Sequence, residues 1–336
     1  MKRLFTPVRL ALFAFLIFGI AAYLFVAPSD DFIFLPDRAR PLAPLVAVEG
    51  EKNTEDQGGI YFVTVDVRRA TRLEELFPGI QEGSTLVPEH QVQPPGVSED
   101  VRRRGELRDM RRSQQIAAAV AFRELGLRVS VERRGALVGQ VLPSHPATGK
   151  LRRGDVLVAA DGRPVRSPSD LRRLIGRHDP GDSVRLRIRR GSQTREVVLR
   201  TVASPEQPRR AIIGVIVEEV ADIDLPRSVR INLGDVGGPS AGLAFALDLL
   251  EELGRDVDNG YRVAATGELT LDGGVHPVGG LKQKTIGARR SDVDVFLVPA
   301  GENAEEARRH AGDLRIVPVR SFQQALRELA TLPAPS

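Results

Sequence analysis

The chain of 336 residues contains no cysteine, no tryptophan and only five histidines. Without cysteine it forms no disulfide and has neither a thiol nucleophile nor a thiolate metal ligand. The histidines are scattered and form no HExxH pattern, so we expect no bound metal and no other cofactor. Lysine is also scarce, because 43 of the 48 basic residues are arginine.

The chain also lacks a strong excess of charge, with 48 basic against 44 acidic residues. Three of the positive charges precede residue 10 and no acid occurs before Asp30, so the remainder is close to neutral. Nucleic-acid-binding proteins concentrate basic charge on one face, and we therefore expect no nucleic-acid partner. The length predicts about two folded domains.

An uncharged run from Leu10 to Ala27 follows the basic amino terminus. At 1.5 Å per residue this run would span about 27 Å, close to the thickness of a bilayer core. The flanking charges predict a transmembrane anchor at 10–27, a cytoplasmic stub at 1–9 and an extracytoplasmic remainder in a single-pass cell-membrane protein. A cleaved signal peptide is the alternative, although its apolar core is usually shorter.

The rest of the chain divides into four segments by composition. Residues 28–58 are proline-rich and then polar, which predicts an extended stalk. Residues 59–125 predict a strand followed by a long helix, and the question whether they pack on a later segment stays open. Short strands and one helix are predicted for 126–203, and alternating strands and helices for 207–336. We expect an α+β multidomain protein.

A glycine-rich segment leads from a predicted strand into a predicted helix, with the sequence Asn-Leu-Gly-Asp-Val-Gly-Gly-Pro-Ser-Ala-Gly-Leu from Asn232. Ser240 therefore lies near a helix N-terminus, where free backbone N–H groups could stabilise an oxyanion beside a nucleophilic hydroxyl. A simple serine cap and a phosphate site are the alternatives. The chain has no GxxxxGK[ST] pattern, which disfavours ATP binding.

A nucleophilic serine requires a base, and no histidine has a recognisable triad setting. His276 is the nearest candidate, but its position between valine and proline fits a turn better. Lys282 and Lys284 are the other option if desolvation lowers one lysine pKa from about 10.4 toward neutrality. Two residues apart on a helix they point to different faces, so one can be buried. An ordinary pair of surface lysines remains the alternative.

Several features of residues 126–203 occur in a characteristic order. They are Gly135-Ala136-Leu137-Val138, Pro146-Ala147, the run Leu151–Leu157, Asp161-Gly162 and a helix at Ser169–Arg177. Together they resemble a PDZ domain. The resemblance implies that a peptide carboxy-terminus adds as a strand beside the helix, with its carboxylate on the backbone of a loop formed by Gly135, Ala136, Leu137 and Val138. A glycine that merely makes a turn is the alternative.

Three blocks near the carboxy terminus resemble the signatures of the Lon-type protease domain: Gly-Pro-Ser240-Ala-Gly, Thr266-Gly-Glu and Pro-Val-Gly-Gly-Leu-Lys-Gln-Lys284. The resemblance implies that Ser240 is the nucleophile, that Lys284 is its base and that Thr266 hydrogen-bonds the lysine amine. The backbone from Gly238 to Ala241 would hold the oxyanion. One departure is visible, because many such domains have aspartate where this chain has Gly237.

The whole chain resembles the bacterial membrane-anchored PDZ–Lon proteases. This implies an ATP-independent serine endopeptidase that cleaves polypeptides, whose PDZ domain binds exposed carboxy-termini. It also implies a homo-oligomer, with a hexamer as the expected ring. The alternatives are a non-catalytic binding or regulatory protein and a trypsin-like PDZ protease. The Gly-[Asn/Asp]-Ser-Gly-Gly block of the latter class is missing.

Overall fold

The computed structural model describes residues 7–50, 58–93, 99–205 and 207–333. The chain folds as two units. Unit 1 comprises Met1–Leu127 and Pro226–Ser336, and unit 2 comprises Arg128–Leu225. Unit 2 is therefore an insertion between two separate segments of the chain that fold together.

The described residues form helices and strands with the following bounds. The helices are α1 Pro7–Val26, α2 Arg72–Leu76, α3 Glu89–Val92, α4 Glu99–Glu124, α5 Pro168–Ile175, α6 Gly242–Glu252, α7 Leu281–Arg289, α8 Glu302–His310 and α9 Phe322–Ala330. The strands are β1 Pro28–Pro36, β2 Arg40–Pro41, β3 Val46–Val48, β4 Gly59–Phe62, β5 Val65–Thr71, β6 Thr85–Val87, β7 Ser130–Val141, β8 Val156–Ala160, β9 Arg163–Pro164, β10 Ser183–Arg190, β11 Gln193–Arg200, β12 Val202–Ala203, β13 Ala211–Ile212, β14 Val215–Asp224, β15 Val229–Ile231, β16 Arg262–Ala265, β17 Glu268–Leu269, β18 Val275–His276, β19 Val295–Pro299 and β20 Arg315–Val319.

A five-stranded sheet with the order β2-β4-β16-β19-β20 forms the centre of unit 1. Strands β4, β16, β19 and β20 are parallel, and β2 pairs with β4 in the antiparallel sense. All five residues of β19 are buried. Such a continuous apolar run is typical of a parallel strand that is covered on both faces. Helices α7 and α8 follow the parallel strands, as the sequence predicts for this segment.

Residues 59–125 belong to unit 1, which answers the question that the sequence left open. Strand β4 lies in the central sheet, and α4 packs against α6. Ala117, Ala119 and Ala121 of α4 are fully buried. Small side chains in this position allow the backbones of two helices to approach closely. The long helix that the sequence predicts at the end of this segment is observed as α4.

The predicted stalk at 28–58 is instead folded over most of its length. Strand β1 is the middle strand of the sheet β5-β1-β6, and β3 pairs with β15. Phe32, Ile33 and Leu42 are buried. Prolines at the ends of β1 and in the edge strand β2 suggested an extended linker, but proline is compatible with such strand positions. Residues 51–57 lie outside the described part of the chain.

The amino-terminal helix requires a second correction, because none of the helices in the described residues has the length and apolar character needed to span a bilayer. Helix α1 contains Arg9 and ends at Val26. The predicted anchor at 10–27 and the single-pass localisation are wrong. Most of the stub at 1–9 lies outside the described residues.

Unit 2 is built on one sheet with the order β11-β10-β8-β7-β14, with β9 paired to β8. Helix α5 covers a core that includes Leu157, Leu186 and Ile188. Helix α5 begins at Pro168, one residue before the predicted start at Ser169, and the hydroxyl of Ser167 caps it. Strand β14 pairs with β7 along its whole length. Residues 211–224 are thus part of unit 2, although the sequence analysis grouped them with the segment 207–336.

We predict that Gly287→Ala destabilises the protein by about 1–3 kcal/mol, the usual cost of overpacking. A Cβ atom at Gly287 in α7 would lie 1.9 Å from the carbonyl oxygen of Asp37, so the helix would have to shift. Gly79→Ala is the control, since a Cβ there meets nothing within 4 Å. Urea unfolding of both variants measures the change. Equal stability of the two variants would contradict the close approach of α7 to residue 37.

Candidate functional site

A groove of about 1170 Å³ runs across unit 1. Its walls come from β5, from the first half of α4, from the segment 233–241 before α6 and from the start of α7. Ser240 and Lys284 both line this groove. The structure therefore brings the two predicted catalytic side chains to one cavity, although Ser240 precedes α6 and Lys284 lies on α7.

Ser240 lies at the end of the glycine-rich segment, directly before Ala241, the N-cap of α6. It is partly exposed, whereas the ten residues that follow it are all buried. The apolar α6 is thus fixed in the core of unit 1 and presents its N-terminus to the groove. The Ser240 side chain is accessible from the groove, as a nucleophile has to be.

Lys284 is buried in the second turn of α7, with 4% of its surface exposed. Its Nζ donates to Thr266 Oγ1 at 3.2 Å. Burial disfavours the charged form and lowers the pKa of Lys284 to about 7. At neutral pH a large fraction of this amine is uncharged, so it can accept a proton.

Lys282 and Lys284 differ in their surroundings, as their spacing predicts. Lys282 is only partly buried, and its Nζ donates to the carbonyl oxygen of Ser84 at 2.9 Å. Gly280 precedes α7 with a positive φ of 74°, and its missing side chain leaves room for Val65. The close packing at the start of α7 therefore places Lys284 beside the groove and leaves Lys282 partly exposed.

Thr266 connects Lys284 to the backbone of Ser240. It is fully buried, and its hydroxyl donates to the carbonyl oxygen of Ser240 at 3.1 Å while accepting from Lys284. The N–H of Gly267 donates to the same carbonyl at 2.8 Å. The Lys284 amine thus lies within two hydrogen-bond lengths of the Ser240 main chain. No hydrogen bond joins Ser240 Oγ to Lys284 Nζ or to another described residue.

The backbone donors near Ser240 are not equivalent. The N–H of Gly238 donates to the carbonyl oxygen of Glu106 in α4 at 3.0 Å. The N–H groups of Ser240 and Ala241 make no hydrogen bond to any residue that the structure describes. Of the two predicted oxyanion positions, Ala241 therefore has an available donor, and Gly238 has a donor that is already engaged. Ser240 supplies the second available N–H.

Helix α4 contributes residues that the sequence analysis did not single out. A Cβ atom at Gly237 would lie 2.6 Å from Cβ of Glu106, so the absence of an aspartate at position 237 follows from the close packing of α4. The hydroxyl of Ser113 donates to the carbonyl oxygen of Pro239 at 3.0 Å. The charged sequence of α4 predicts only a solvated face. The glycines at 237 and 242 were the signal that another element approaches here.

Among the described residues, no histidine lines the groove. His276 is exposed on β18, where it lies opposite Glu268. One cluster of carboxylates in the described residues, Glu251, Asp256 and Asp258, has the spacing of metal ligands. Glu251 accepts the N–H groups of Val257 and Asp258, and these bonds hold the turn after α6. The cluster lies at and after the C-terminal end of α6 and contributes no lining residue to the groove.

The predicted peptide-binding loop of unit 2, Gly135–Val138, lies inside β7. Residues Ala136 and Leu137 face partners in both β8 and β14. The N–H of Val138 donates to the carbonyl oxygen of Asp155 at 2.8 Å. A strand that is paired on both sides has few free backbone groups to offer a ligand. The structure therefore places the four predicted residues within a strand and not in a loop.

The edge of the unit 2 sheet offers the free backbone groups that Gly135–Val138 lacks. Strand β14 is at the end of the sheet order, pairs only with β7 among the described residues and contacts α5. Immediately before it, Gly214 has a positive φ of 76°. The N–H groups of Ile213 and Gly214 make no hydrogen bond to a described residue. Adjacent free N–H groups of this kind can bind an anion.

Both units match known domain families. Residues 124–201 match the family described as PDZ domain, and residues 232–331 match the Lon protease (S16) C-terminal proteolytic domain. The resemblance that the sequence predicts is thereby confirmed for both domains. Neither match includes the residues of α4 before 124, although this helix packs against α6 in the second matched segment.

Curated relatives cover parts of the chain. Lon protease 1 of Myxococcus xanthus is 39% identical over 102 residues, which are 29% of this chain and 12% of that protein. A probable periplasmic serine endoprotease DegP-like of Halomonas elongata is 32% identical over 201 residues, which are 56% of this chain and 35% of that protein. The chain thus spans between about an eighth and a third of the length of these relatives.

A solved structure, the PDZ domain of the SdrC-like protein from Listeria monocytogenes, is 22% identical and covers 25% of this chain and 87% of that chain. Its TM-score is 0.24, and the fold assignment does not rest on it.

We predict that Lys284→Met raises the free energy of unfolding at pH 7, by on the order of 2 kcal/mol. The folded pKa of about 7 lies below the ordinary value of 10.5, so between these values the unfolded chain binds more protons. The cost of burying Lys284 is therefore full below pH 7 and disappears as the pH rises toward 10.5. Urea unfolding at several pH values should show the gain shrinking with pH.

Lys282→Met is the matched control on the same helix, because Lys282 is only partly buried. It should give no gain at pH 7. A loss of stability in Lys284→Met that does not depend on pH would show that the lysine is charged and paired in the folded protein.

Proposed function

The chain combines a PDZ domain with a Lon-type C-terminal proteolytic domain, and we propose that it is an ATP-independent serine endopeptidase that uses a Ser240–Lys284 dyad. The single observation that carries the proposal is the buried amine of Lys284. Its pKa is lowered to about 7, and Thr266 links it to the backbone of Ser240. The substrates are polypeptides, because residues 232–331 match a proteolytic domain and the groove of about 1170 Å³ is lined by both polar and apolar side chains.

The reaction begins with a proton transfer from Ser240 Oγ to the neutral amine of Lys284. Ser240 Oγ then forms a bond to the carbonyl carbon of the scissile peptide, and the carbonyl oxygen gains the negative charge. The N–H groups of Ser240 and Ala241 stabilise this oxyanion, aided by the N-terminus of α6. The protonated Lys284 returns the proton to the leaving nitrogen, and the peptide bond breaks.

Hydrolysis of the acyl-enzyme repeats these steps with water. Lys284 takes a proton from water, the hydroxide attacks the ester carbon and Ser240 leaves with the proton from Lys284. Thr266 holds the amine in place through its hydroxyl throughout. Arginine could not replace Lys284 in these steps, since a guanidinium stays protonated.

Two alternative functions are less well supported. A trypsin-like protease requires a histidine base, and no histidine lines the groove among the described residues. A non-catalytic binding protein would have no reason to keep a lysine buried at a cost in stability. The burial of Lys284 with one hydroxyl as its hydrogen-bond partner favours catalysis.

We further propose that unit 2 binds the carboxy-terminus of a peptide at the edge of β14. The peptide would add as a strand to this edge beside α5, and its carboxylate would lie on the N–H groups of Ile213 and Gly214. Support comes from the free edge, the two free N–H groups and the positive φ of Gly214. On the resemblance alone, we extend the proposal to a homo-oligomer, with a hexamer as the implied ring.

We expect the full chain to cleave an unfolded protein such as reduced casein without ATP. Ser240→Ala, Lys284→Ala and Lys284→Arg should each lower the rate by about a thousandfold or more, because loss of nucleophile or base removes the acylation step. The rate of the wild type should rise between pH 6 and pH 8, as Lys284 becomes neutral. Fluorescently labelled casein and gel analysis measure the rates.

Lys282→Arg serves as the control, because this lysine is partly exposed and retains its charge in the variant. It should keep near wild-type activity. Cleavage that persists in Ser240→Ala would contradict the dyad, and an inactive wild type that still binds peptides would favour the non-catalytic alternative.

We expect peptide binding to protect the amides of Ile213 and Gly214 from hydrogen exchange and to leave those of Gly135–Val138 unchanged. The probe is a pool of decapeptides with randomised last residues and a free carboxylate, added to the Ser240→Ala chain to prevent cleavage. Unit 2 holds 19 basic and 12 acidic residues, so acidic peptides should bind best.

The same pool with amidated carboxy-termini is the control and should bind at least tenfold more weakly, since the carboxylate is lost. Protection at Gly135–Val138 alone, or equal binding of the amidated pool, would place the ligand elsewhere.

A further inference from the structure

Helix α4 contacts the chain on both sides of the proline that precedes Ser240. The carbonyl oxygen of Glu106 accepts the N–H of Gly238 at 3.0 Å, and the hydroxyl of Ser113 donates to the carbonyl oxygen of Pro239 at 3.0 Å. Seven residues of one helix separate these contacts, which corresponds to two turns. The strand-to-helix connection that carries Ser240 is therefore held along one face of α4.

The contact of Ser113 has a specific geometric consequence. The carbonyl of Pro239 and the N–H of Ser240 belong to the same planar peptide group and point in opposite directions. Fixing the carbonyl oxygen therefore fixes the direction of the Ser240 N–H. This N–H is one of the two free donors that the proposed reaction assigns to the oxyanion.

At Pro239 the carbonyl oxygen is the only backbone group that can form a hydrogen bond, because proline has no N–H. The N–H of Gly242 also reaches the Pro239 carbonyl, but at 3.3 Å, which is longer than the contact from Ser113.

The surroundings of Ser113 leave little freedom for another arrangement. Ser113 is 4% exposed, and its Oγ would lie 2.9 Å from a Cβ atom at Gly242. The hydroxyl is thus wedged between α4 and the first residue of α6. A side chain at position 242 would displace it, which explains why glycine follows Ala241 here.

We propose that Ser113 is a positioning residue that orients the Ser240 N–H toward the oxyanion. It does not touch the substrate, and it acts through the peptide group between Pro239 and Ser240. The inference rests on the proposed Ser240–Lys284 function. It assigns a role in that reaction to a helix that precedes unit 2 in the chain and whose first 25 residues lie outside both matched families.

The test compares Ser113→Ala with Gln114→Ala in the full chain. Gln114 is the adjacent residue of α4, and its Nε2 donates to the carbonyl oxygen of Ile231. This bond also anchors α4, but it lies away from Ser240. With a quenched fluorescent peptide as substrate, Ser113→Ala should lower kcat about tenfold to a hundredfold and leave KM within a factor of two. This loss is smaller than that for deleting an oxyanion donor, because the N–H remains but is less well directed.

A peptide boronic acid provides a second readout, since its tetrahedral adduct carries the charge that the oxyanion site stabilises. Ser113→Ala should weaken its inhibition by a similar factor, and the pH at which activity is half-maximal should stay unchanged, because Lys284 is unaffected. Gln114→Ala should keep kcat and boronate inhibition within a factor of two, while both variants show similar small losses in thermal stability.

Three outcomes would overturn the proposal. One is a Ser113→Ala enzyme with normal kcat, and another is a loss in Gln114→Ala as large as in Ser113→Ala, which would indicate only the docking of α4. The third is a shift of the pH profile, which would assign the effect to the lysine. An inactive wild type, or activity that survives Ser240→Ala, would instead refute the dyad and this inference with it.

Discussion

Desolvation of one amine is the constraint on which the site depends. Lys284 can act as a base near neutral pH only if water is kept away from it, and several elements serve that end. Helix α7 can pack closely against the backbone of Asp37, because Gly287 has no side chain that would collide with it. Thr266 supplies a single hydroxyl partner without a charge. An acid in that place would keep the amine protonated and remove its basicity.

The sequence pointed to the residues of the proposed dyad, but it did not show which residues hold them in place. The rarity of lysine pointed to the segment around Lys282 and Lys284, and helical spacing predicted that only one of the two is buried. The roles of Ser240, Lys284 and Thr266 came from resemblance and stay predictions, although the structure places all three together. Ser113 escaped notice because its partner, the carbonyl of Pro239, is 126 residues away.

The errors arose where distant pairing overrides local composition. The segment 28–58 reads as a linker until β5 and β15 supply partners for β1 and β3. The glycine of the PDZ pattern reads as a loop until β14 pairs along the whole of β7. The charge-free run at the amino terminus reads as a membrane anchor, but no helix in the described residues has the length and apolar character to span a bilayer.

The insertion of unit 2 has a consequence for the order of events during synthesis. Strand β4 pairs with β16, so Ile60 finds its partner Val263 only after all of unit 2 has been made. Unit 2 has its own core and contiguous sequence, and it is free to fold on the ribosome first. The emerging polypeptide would therefore complete its PDZ domain before its Lon-type proteolytic domain can form.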